Sequence, residues 1–349
     1  MERLLESSHP APVRLRLLAE APGADWAGAA AAGHLALAPE WHGVIRRAYR
    51  HAPLYLTAEG EAGRAVLPAF ILRRPLLGTA VTSMPFLDAG GPAGAAALAE
   101  PLLARLTLEA ERAGARYVEV RATAPLPLPA TPSLGKVSLA LDLPGDPDRL
   151  WRGLHAKVRN QVRKAERSGL EVEAGGAPLL PAFYEVFAAN MRDLGSPVHG
   201  QPFLQAALEA FGPRARLLLA RRAGRPVGGL LALAHGDTLY VPWASSLRAE
   251  AAHCPNMLLY WEALRQACRD GLRRFDFGRS TRDSGTYRFK RQWGAGEVPL
   301  YWYALPLGGR AAPAPGGDER LALAGRLWRR LPLGLTRRLG PRLRRLLSQ

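Results

Sequence analysis

The sequence predicts an α/β (α+β) fold made of two tandem domains, and three observations support this prediction. A chain of 349 residues is long enough for two domains of ordinary size, each with its own core. Strand-like and helix-like segments alternate along it, which favours this class over all-α or all-β proteins. One order of elements, namely hairpin, strand, long helix and buried strand, occurs twice along the chain.

The first copy of this pattern begins with a hairpin. Residues 53–59 and 64–73 are strand-like and flank a Gly-rich turn. A further strand is expected near 80–84, and a long helix at 95–114 ends at a glycine, as helices commonly do. The helix leads into a buried strand at 116–120.

The second copy repeats the order with different residues. Strands at 216–220 and 227–233 flank a turn that contains Gly and Pro, so they predict another hairpin. A strand at 238–243 follows, and a helix at 257–271 again ends at a glycine. The buried strand that completes this copy begins at Phe275.

Changes in composition set the expected domain boundaries. We expect an N-terminal domain at 13–123 and a C-terminal domain at 137–307. A linker at 124–136, rich in Pro, Thr and Ser, joins them. A second stretch of breaker residues, 306–317, separates the core from a basic tail at 318–349.

The chain is strongly basic, with a formal net charge of +17, which implies a nucleic acid, a phosphorylated substrate or an anionic membrane surface as partner. Residues 318–349 alone hold nine arginines and two acidic residues. Leucine and tryptophan between these arginines suit a membrane interface, and a disordered basic tail is the alternative. Pro332 and Pro341 are expected to break the tail into short helical pieces.

Cysteine usage and hydropathy indicate the compartment. Cys254 and Cys268 have neither metal-ligand spacing nor a disulfide framework, so we expect no metal site and a reducing environment. No basic start precedes an apolar run at the N-terminus, and no window of about 20 apolar residues is free of charge. We expect a cytoplasmic monomer without a signal peptide or membrane span, either soluble or peripheral at the inner membrane.

Residues 275–295 carry the densest set of polar groups. They read as a buried strand, a turn rich in Gly, Ser and Thr, and a final Phe-Lys-Arg-Gln-Trp-Gly-Ala stretch. Hydroxyls, guanidinium groups and a lysine just past a strand end are suited to an acyl or phosphate group. A solvated, positively charged turn is the alternative. Trp293 is expected in the core.

The same block resembles the C-terminal signature of FemAB-related proteins of the GNAT-like acyltransferase superfamily. The resemblance rests on Phe-Asp-Phe-Gly-Arg-Ser followed by Tyr-Arg-Phe-Lys-Arg-Gln-Trp-Gly-Ala, and it is greatest to the exosortase/PEP-CTERM-associated branch. It extends over 13–303 and is most specific over 150–302. It implies two GNAT-like domains with a cleft between them. It also implies aminoacyl transfer from aminoacyl-tRNA to an amine on a cell-envelope precursor.

The resemblance also implies roles for residues of this block. Phe289 and Lys290 would lie at the transferred carbonyl, where the lysine would stabilise an oxyanion. Asp283 and Tyr287 are candidate proton carriers. The substrate-binding candidates in the block are Arg279, Ser280, Arg282 and Arg288, of which Arg279 and Arg282 would hold a phosphate or carboxylate of the acceptor.

A predicted helix at 148–169 carries a further candidate site. Its apolar residues recur three and four apart, and Lys157, Arg159 and Arg163 lie on other faces among six cations. Arg and Lys in this arrangement suit the phosphates of tRNA, a nucleotide or a lipid diphosphate. A solvated amphipathic helix is the alternative.

Two loops complete the set of candidates. Asp88 precedes Gly90 and Gly91. We expect this glycine run to open a helix whose first amides bind an anion or a carbonyl group. A tight connection that needs glycine for its backbone geometry is the alternative. Asn256 is expected to cap the second long helix. The segment before it, 248–256, contains no glycine, which departs from the pyrophosphate loop of CoA-dependent GNAT proteins.

These observations favour an N-acyltransferase in which an amine attacks an activated ester or thioester directly. Aminoacyl-tRNA or acyl-CoA would be the donor, with no tightly bound cofactor, and a phosphorylated or lipid-linked glycan or peptide would be the acceptor. Alternatives are a CoA-dependent enzyme of exopolysaccharide synthesis and a catalytically silent scaffold at the membrane. His199, in a Gly/Pro loop, is expected to be exposed, and a position that lines the cleft is the alternative.

Overall fold

The computed structural model describes residues 13–18, 20, 23, 26, 28, 33–75, 77–309 and 319–348. They form two seven-stranded sheets with helices packed against them. The first sheet has the order β1-β2-β3-β4-β6-β14, with β5 paired to β3. Its strands are β1 (Arg14–Leu18), β2 (Ala52–Gly60), β3 (Gly63–Arg74), β4 (Gly78–Thr82), β5 (Ala93–Gly94), β6 (Ala115–Ala122) and β14 (Tyr301–Pro306).

The second sheet has the order β13-β7-β12-β11-β10-β9-β8. Its strands are β7 (Lys136–Asp142), β8 (Leu170–Gly175), β9 (Ala215–Arg222), β10 (Arg225–His235), β11 (Thr238–Ser246), β12 (Arg274–Thr281) and β13 (Gly296–Pro299). The α-helices are α1 (Glu40–Tyr49), α2 (Ala99–Arg112), α3 (Pro147–Gly153), α4 (Ala156–Arg167), α5 (Leu180–Asp193), α6 (Gln201–Phe211), α7 (Pro255–Arg269), α8 (Gly285–Arg291), α9 (Glu319–Trp328) and α10 (Leu333–Arg344).

The repeated order of elements predicted from the sequence is confirmed. The hairpin β2–β3, strand β4, helix α2 and strand β6 form the first copy, and β9–β10, β11, α7 and β12 form the second. In each copy, the strand before the helix pairs in parallel with the strand after it. A helix that connects two parallel neighbours is the expected crossover, which explains why the two copies share one spacing.

The predicted single helix at 148–169 is wrong, because the chain forms two helices, α3 and α4. Leu154 and His155 have extended backbones, with ψ of 144° and 142°. The Nδ1 atom of His155 accepts a hydrogen bond from the amide of Lys157 at 3.2 Å. This cap starts a second helix, so the basic residues follow a new axis from Ala156 onward.

The prediction that Gly90 and Gly91 open a helix is also wrong. Strand β5 and a 3₁₀ turn at Ala96–Leu98 come between these glycines and α2. A Cβ on Gly91 would lie 3.2 Å from the Cβ of Ala122, so this glycine permits close packing of backbone against β6. The alternative of a tight connection therefore describes this loop better than an anion site.

Strand β14 connects the two halves of the chain. Residues 301–306 fall within the expected C-terminal domain 137–307, yet β14 pairs with β6 of the first sheet from Tyr301↔Ala122 onward. Strand β13, only one residue earlier, pairs with β7 of the second sheet. The chain therefore crosses between the sheets at Leu300, which is fully buried.

The largest apolar cluster also belongs to both halves. It contains Trp41, Tyr55 and Phe70 from the first part of the chain and Phe183 and Phe203 from the second, all of them buried. Such a shared core holds the two sheets in a fixed relation, so side chains from both can line one pocket.

The C-terminal segment is folded rather than extended. Pro332 stands before α10, as expected, but Pro341 lies inside this helix, so the expected break at Pro341 is wrong. Its ring packs against Gly200, where a Cβ would be 3.3 Å from the Cβ of Pro341. Residues 310–318, which include most of the second breaker stretch, lie outside the described residues. Within the described ranges, no helix is long and apolar enough to cross a bilayer.

Candidate active site between the two halves

A pocket opens where two parallel strands of the second sheet part. The recorded pairs between β11 and β12 run from Thr238↔Arg274 to Tyr240↔Asp276, although both strands continue beyond this point. The pocket has a volume of about 230 Å³. It is lined by His34, Leu35, Ala36, Phe86, Leu87, Asp88, Phe187, Met191, Ser196, His199, Tyr240, Val241, Pro242, Trp243, Asp276, Gly278, Arg279 and Arg344. Ligands of open α/β sheets bind at the carboxyl ends of strands in such crevices.

A bulge in β12 shapes one wall of the pocket. The pairing of β12 with β7 shifts between Asp276 and Arg279. The Oδ1 atom of Asp276 accepts hydrogen bonds from Ser138 Oγ at 2.6 Å and from the Gly278 amide at 2.7 Å. Gly278 has a φ of 74°, and a Cβ there would lie 2.8 Å from the Val241 carbonyl oxygen. Glycine is therefore required at this point of the bulge.

Lys290 holds this bulge from within the protein. Its Nζ donates hydrogen bonds to the carbonyl oxygens of Gly278 and Arg279, at 2.8 and 2.9 Å. Burial lowers the pKa of Lys290 to about 8, although Asp88 and Asp276 oppose the shift. Lys290 does not line the pocket, whereas both residues whose carbonyls it binds do. The described contacts thus use two of its three donors to fix the pocket wall.

Asp88 and Arg279 face each other across the junction of the two halves. The Arg279 Nε lies 3.4 Å from Asp88 Oδ1, and the Arg279 amide donates to Asp88 Oδ2 at 3.3 Å. The Asp88 carbonyl accepts a hydrogen bond from Trp302 Nε1 at 3.1 Å. The guanidinium carbons of Arg279 and Arg121 lie 4.9 and 4.5 Å from the Trp302 ring. The structure therefore brings the predicted Asp88 and Arg279 into contact at this pocket.

This packing leaves one nitrogen of the Arg279 guanidinium group free to donate a hydrogen bond. Its Nη1 is buried and has no hydrogen-bond partner within the described residues. Burial lowers the pKa of Arg279, with Asp88 opposing the shift and Arg121 adding to it. Such an unpaired guanidinium nitrogen next to a pocket is suited to an oxygen atom of a ligand.

Two histidines in the pocket have tautomers that their partners define. His34 Nδ1 accepts the amide of Ala36 at 3.1 Å, so its proton is on Nε2 when the ring is neutral. His199 Nε2 accepts Arg344 Nε at 3.1 Å, so the Nδ1 proton points to Tyr49 Oη at 2.6 Å. Burial lowers the pKa of both rings. Neutral His34 can therefore donate a hydrogen bond from Nε2 to a ligand.

Other predicted residues of the 275–295 block do not reach the pocket. Strand β12 continues to Thr281, so Arg279 and Ser280 lie within a strand and point to opposite sides. Ser280 is buried, and its Oγ has no recorded partner. Arg288 lies in α8 and donates to the Asp283 carbonyl at 2.7 Å.

Two further residues of the block, Arg282 and Tyr287, form hydrogen bonds with Glu297 in an exposed cluster. Arg282 donates to Glu297 Oε2 at 3.0 Å, and Tyr287 Oη donates to Glu297 Oε1. The hydrogen bond to Glu297 raises the pKa of the Tyr287 hydroxyl. Asp283, with a φ of 60°, stands in the exposed turn before α8. The predicted catalytic pair Asp283 and Tyr287 and the predicted Arg282 thus lie on the surface, outside the pocket lining.

Phe289 packs into the core of the second half. Its ring lies 5.2 Å from Tyr260 and 6.4 Å from Trp293, between ring centroids. Trp293 is buried, as expected from the sequence. Phe289 is absent from the pocket lining, so its described contacts are those of packing.

The basic residues of α4 form a separate surface. Lys157 lines a second cavity of about 390 Å³ together with His155, Arg291 and Trp293. Arg159 donates to the Arg152 carbonyl, and Arg163 lies over the Trp151 ring. The structure does not bring this surface together with the pocket that Asp88 and Arg279 line.

Asn256 is not the predicted helix cap. Helix α7 starts at Pro255 after a left-handed Cys254, which places Asn256 in the first turn. The Oδ1 atom of Asn256 is buried without a recorded partner. The preceding residues form a 3₁₀ helix, Arg248–His253, whose turn includes a hydrogen bond from the Cys254 amide to Ala251. This amide is therefore not available to a pyrophosphate.

Several pocket residues escaped prediction. His199 is buried in the pocket, so the expectation that it is exposed is wrong; its loop is covered by α10, which the Gly/Pro pattern does not reveal. Arg121 does not line the pocket, but its guanidinium group lies with that of Arg279 against the Trp302 ring. It follows a predicted strand, and this position at a strand end is the signal that could have identified it. Within the described residues, no group of three His, Cys, Asp or Glu is placed to hold a metal ion.

Comparisons with known proteins agree with this architecture. The profile of the family described as Acetyltransferase (GNAT) domain matches residues 152–291. FemX has 13% identity and a TM-score of 0.60, with 78% of this chain and 92% of FemX covered. The C-terminal domain (DUF2156) of a protein from Agrobacterium fabrum, assigned as a lysylphosphatidylglycerol synthetase, has 13% identity and a TM-score of 0.54, with 86% and 93% covered.

A tandem GNAT protein from the clavulanic acid biosynthesis pathway also has 13% identity and a TM-score of 0.54, with 86% of this chain and all of that chain covered (100%). No protein of the curated set matches the sequence at a significant level. The fold is thus that of tandem GNAT proteins, and the second half carries a GNAT acyltransferase domain. The match of this profile to residues 152–291 makes the protein an acyltransferase by class.

Proposed function

We propose that this acyltransferase moves an aminoacyl group from aminoacyl-tRNA to an amine on a cell-envelope or exopolysaccharide precursor. The observation that carries the proposal is the pocket at the parted ends of β11 and β12, to which the first half contributes Asp88. Two of the similar folds belong to FemX and to a protein assigned as a lysylphosphatidylglycerol synthetase, whose names are consistent with aminoacyl transfer. The resemblance of residues 275–295 to FemAB-related proteins of the exosortase/PEP-CTERM branch supports the choice of acceptor.

In this proposal the amine attacks the ester carbonyl of the donor directly. The new bond joins the amine nitrogen to the carbonyl carbon, and the bond between the carbonyl carbon and the ribose oxygen breaks. One amine proton is lost and the ribose oxygen gains one, so the products are an amide and a tRNA with a free ribose hydroxyl. Asp88 orients the amine, the Nε2 proton of His34 faces the developing negative charge, and Arg279 holds a phosphate or carboxylate group of the acceptor. Fixed donors of this kind contribute about 3 kcal/mol each to a transition state. Lys290 supports the site by holding the bulge that carries Arg279.

The basic surface of α4 would bind the phosphates of the donor tRNA. Lys157, Arg159 and Arg163 lie along one helix, and the adjacent cavity adds Arg291. The surface is separate from the pocket, which suits a large donor that is held at a distance from its reactive end. The location that we propose is cytoplasmic, with peripheral contact at the inner membrane.

A CoA-dependent N-acyltransferase is the second candidate, because the matching profile describes an acetyltransferase domain. Against it stands the 3₁₀ helix Arg248–His253, which replaces the glycine loop that would hold a pyrophosphate. A silent scaffold is the third candidate, and the open pocket with its unpaired Arg279 nitrogen argues for an enzyme instead.

One experiment separates these candidates. The full chain is incubated with charged tRNA or with acyl-CoA, both radiolabelled in the acyl group, and with an amine acceptor such as a lipid-linked glycan precursor. We expect label on the acceptor only with charged tRNA. Label from acyl-CoA alone would replace the proposal with the second candidate, and no transfer from either donor would favour the scaffold. Arg14→Glu, on the exposed strand β1, serves as a control that should transfer at the wild-type rate.

A further inference from the structure

The C-terminal segment Leu333–Ser348 forms part of the pocket wall. Helix α10 packs on the loop that follows α5, where a Cβ on Gly340 would lie 2.9 Å from Val198 Cγ1. The preceding helix α9 approaches the same loop, because a Cβ on Gly195 would lie 2.6 Å from the Gly325 carbonyl oxygen. Contacts this close require glycine on both surfaces, so the segment is built into the fold.

The end of this segment reaches the first half of the protein. The Ser348 carbonyl accepts hydrogen bonds from the Phe86 amide at 2.7 Å and from Arg121 Nη2 at 2.8 Å. Its hydroxyl donates to Glu119 Oε2 at 2.8 Å. These partners are buried, so the bonds hold the segment across the junction between the two halves.

Arg344 enters the pocket from this segment. Its Nε donates to His199 Nε2 at 3.1 Å, which orients the guanidinium group and leaves the two Nη atoms without a recorded partner. The other arginines nearby have carboxylate partners: Arg279 faces Asp88, and Arg121 faces Glu119. Among the described residues, no carboxylate lies within 4.0 Å of Arg344. Within the part of the chain that the structure describes, the Arg344 guanidinium group in this pocket thus has no counter-ion.

We propose that Arg344 is a substrate-binding residue that receives an oxyanion, a phosphate or carboxylate group of the acceptor or donor, in this pocket. A partly buried cation without a counter-ion is unfavourable, and an oxyanion between Arg344 and the free Nη1 of Arg279 would remove that cost. Burial is the main cause that lowers the pKa of Arg344 to about 10; Arg279 and Arg121 add to the shift, while Tyr49 and Asp88 oppose it. The inference rests on the proposed function of the pocket, and it specifies that the ligand of the pocket carries a negative charge.

The geometry of the Arg344 guanidinium group indicates the chemistry of its ligand. With Nε bound to His199, the two Nη groups remain, and they can donate two parallel hydrogen bonds to two oxygens of one anion. Lysine at this position would keep the charge but lose the paired donors. His199 acts as a positioning residue, since it touches Arg344 and not the anion in this arrangement.

Equilibrium binding tests the inference without any transfer reaction. Inorganic phosphate and, separately, acetate are titrated into the full chain by calorimetry, so that phosphate and carboxylate chemistry are compared. We expect one of the two anions to bind the wild type. Arg344→Gln should weaken that binding about tenfold or more, because hydrogen bonds to charged groups are among the strong ones. Arg342→Gln, an exposed arginine of the same helix, should leave it unchanged.

Two further variants make the result interpretable. Arg344→Lys should bind with intermediate affinity, and it replaces Arg344→Gln if circular dichroism shows that the glutamine variant does not fold. His199→Phe keeps the ring stacked on Phe203 but removes the acceptor, so it should weaken binding less than Arg344→Gln does.

The outcomes separate this inference from the proposed function. Equal binding by wild type, Arg344→Gln and Arg344→Lys would overturn the inference, and so would an absence of binding to the wild type by both anions. Selective loss at Arg344 in a protein that transfers no aminoacyl group would retain the inference and remove the proposed function.

Discussion

Asp88 and Arg279 join the two halves of this protein at its pocket, with 3.4 Å between Asp88 Oδ1 and Arg279 Nε. The two residues are 191 positions apart in the sequence. Both side chains are mostly buried, with 23% and 24% exposed, so their interaction is screened less than that of a surface pair. One interaction therefore positions the candidate acceptor-binding carboxylate and couples the loop after β4 to the bulge in β12.

The first prediction concerns this pair. We expect Asp88→Asn to lower transfer at least tenfold and to reduce the free energy of unfolding by about 1–3 kcal/mol, the cost of leaving a charged partner poorly satisfied. Glu209→Gln disrupts the exposed pair of Glu209 with Arg47 and should change stability by less than about 0.5 kcal/mol. Turnover and urea unfolding are measured on both variants. Wild-type turnover in Asp88→Asn would remove this carboxylate from the site.

The second prediction concerns Lys290. Lys290→Met keeps most of the side-chain volume but leaves the carbonyls of Gly278 and Arg279 without their donor. We expect a loss of about 3 kcal/mol in unfolding free energy and a loss of transfer, because each unsatisfied buried acceptor is costly and the bulge carries Arg279. Arg14→Met, at an exposed position of β1, is the control. Full stability combined with lost transfer would instead indicate that Lys290 acts on the substrate directly.

The third prediction uses the pKa of the same lysine. Its folded-state pKa is lowered to about 8 from 10.5, so between these values the unfolded chain binds more protons than the folded protein. Stability relative to Lys290→Met should therefore rise as the pH increases from about 8 to about 10.5. Urea unfolding of both proteins at pH 7.5, 9 and 10 gives this difference. Parallel stability curves would show that Lys290 does not titrate in this range.

The fold could be predicted from the sequence because its signals are local. Hairpin turns, alternating apolar residues and helix-ending glycines determine β2–β3, β9–β10, α2 and α7, and each is visible in a short window. The crossing of the chain between β13 and β14 could not be predicted in this way. Both strands are short, with four and six residues, and their sheets are chosen by tertiary packing around Leu300.

The site could be predicted only in part, for a related reason. A loop and a strand end in the sequence predict Asp88 and Arg279 as candidates, and the shared core brings these two residues into contact. Arg344 and His199 come together because α10 packs on the loop before α6, a contact between distant segments. The Tyr287 and Arg282 side chains were predicted in the site from their neighbours in sequence, but α8 turns them towards Glu297.

The fourth prediction concerns the basic surface of α4. Reversal of charge at Arg159 and Arg163, by substitution with Glu, should weaken tRNA binding and flatten its dependence on salt, since each lost phosphate contact lowers the slope by about one. Arg14→Glu combined with Arg16→Glu on β1 changes the net charge equally and serves as the control. Filter binding at several salt concentrations measures both quantities. If both double variants lose affinity equally, net charge rather than this surface determines binding.

The fifth prediction concerns membrane contact through α9. Leu323 and Leu327 are one helical turn apart and are 59% and 58% exposed, and Arg326 and Arg330 are exposed beside them. An exposed apolar pair flanked by arginines suits the surface of an anionic leaflet, where each arginine contributes about 1 kcal/mol. Leu323→Ser with Leu327→Ser should reduce co-sedimentation with anionic vesicles severalfold, without the loss of Arg344 that truncation of the segment would cause.

The control for this experiment is Leu108→Ser, which changes another exposed leucine, 42% exposed, on helix α2 far along the chain. It should leave vesicle binding unchanged. Vesicles of zwitterionic lipid should bind the wild type weakly, because they lack the charge that attracts the arginines. Wild-type co-sedimentation by the double leucine variant would show that α9 does not enter the membrane surface. The basic face of α4, with Lys157 and Arg163, would then be the next surface to test.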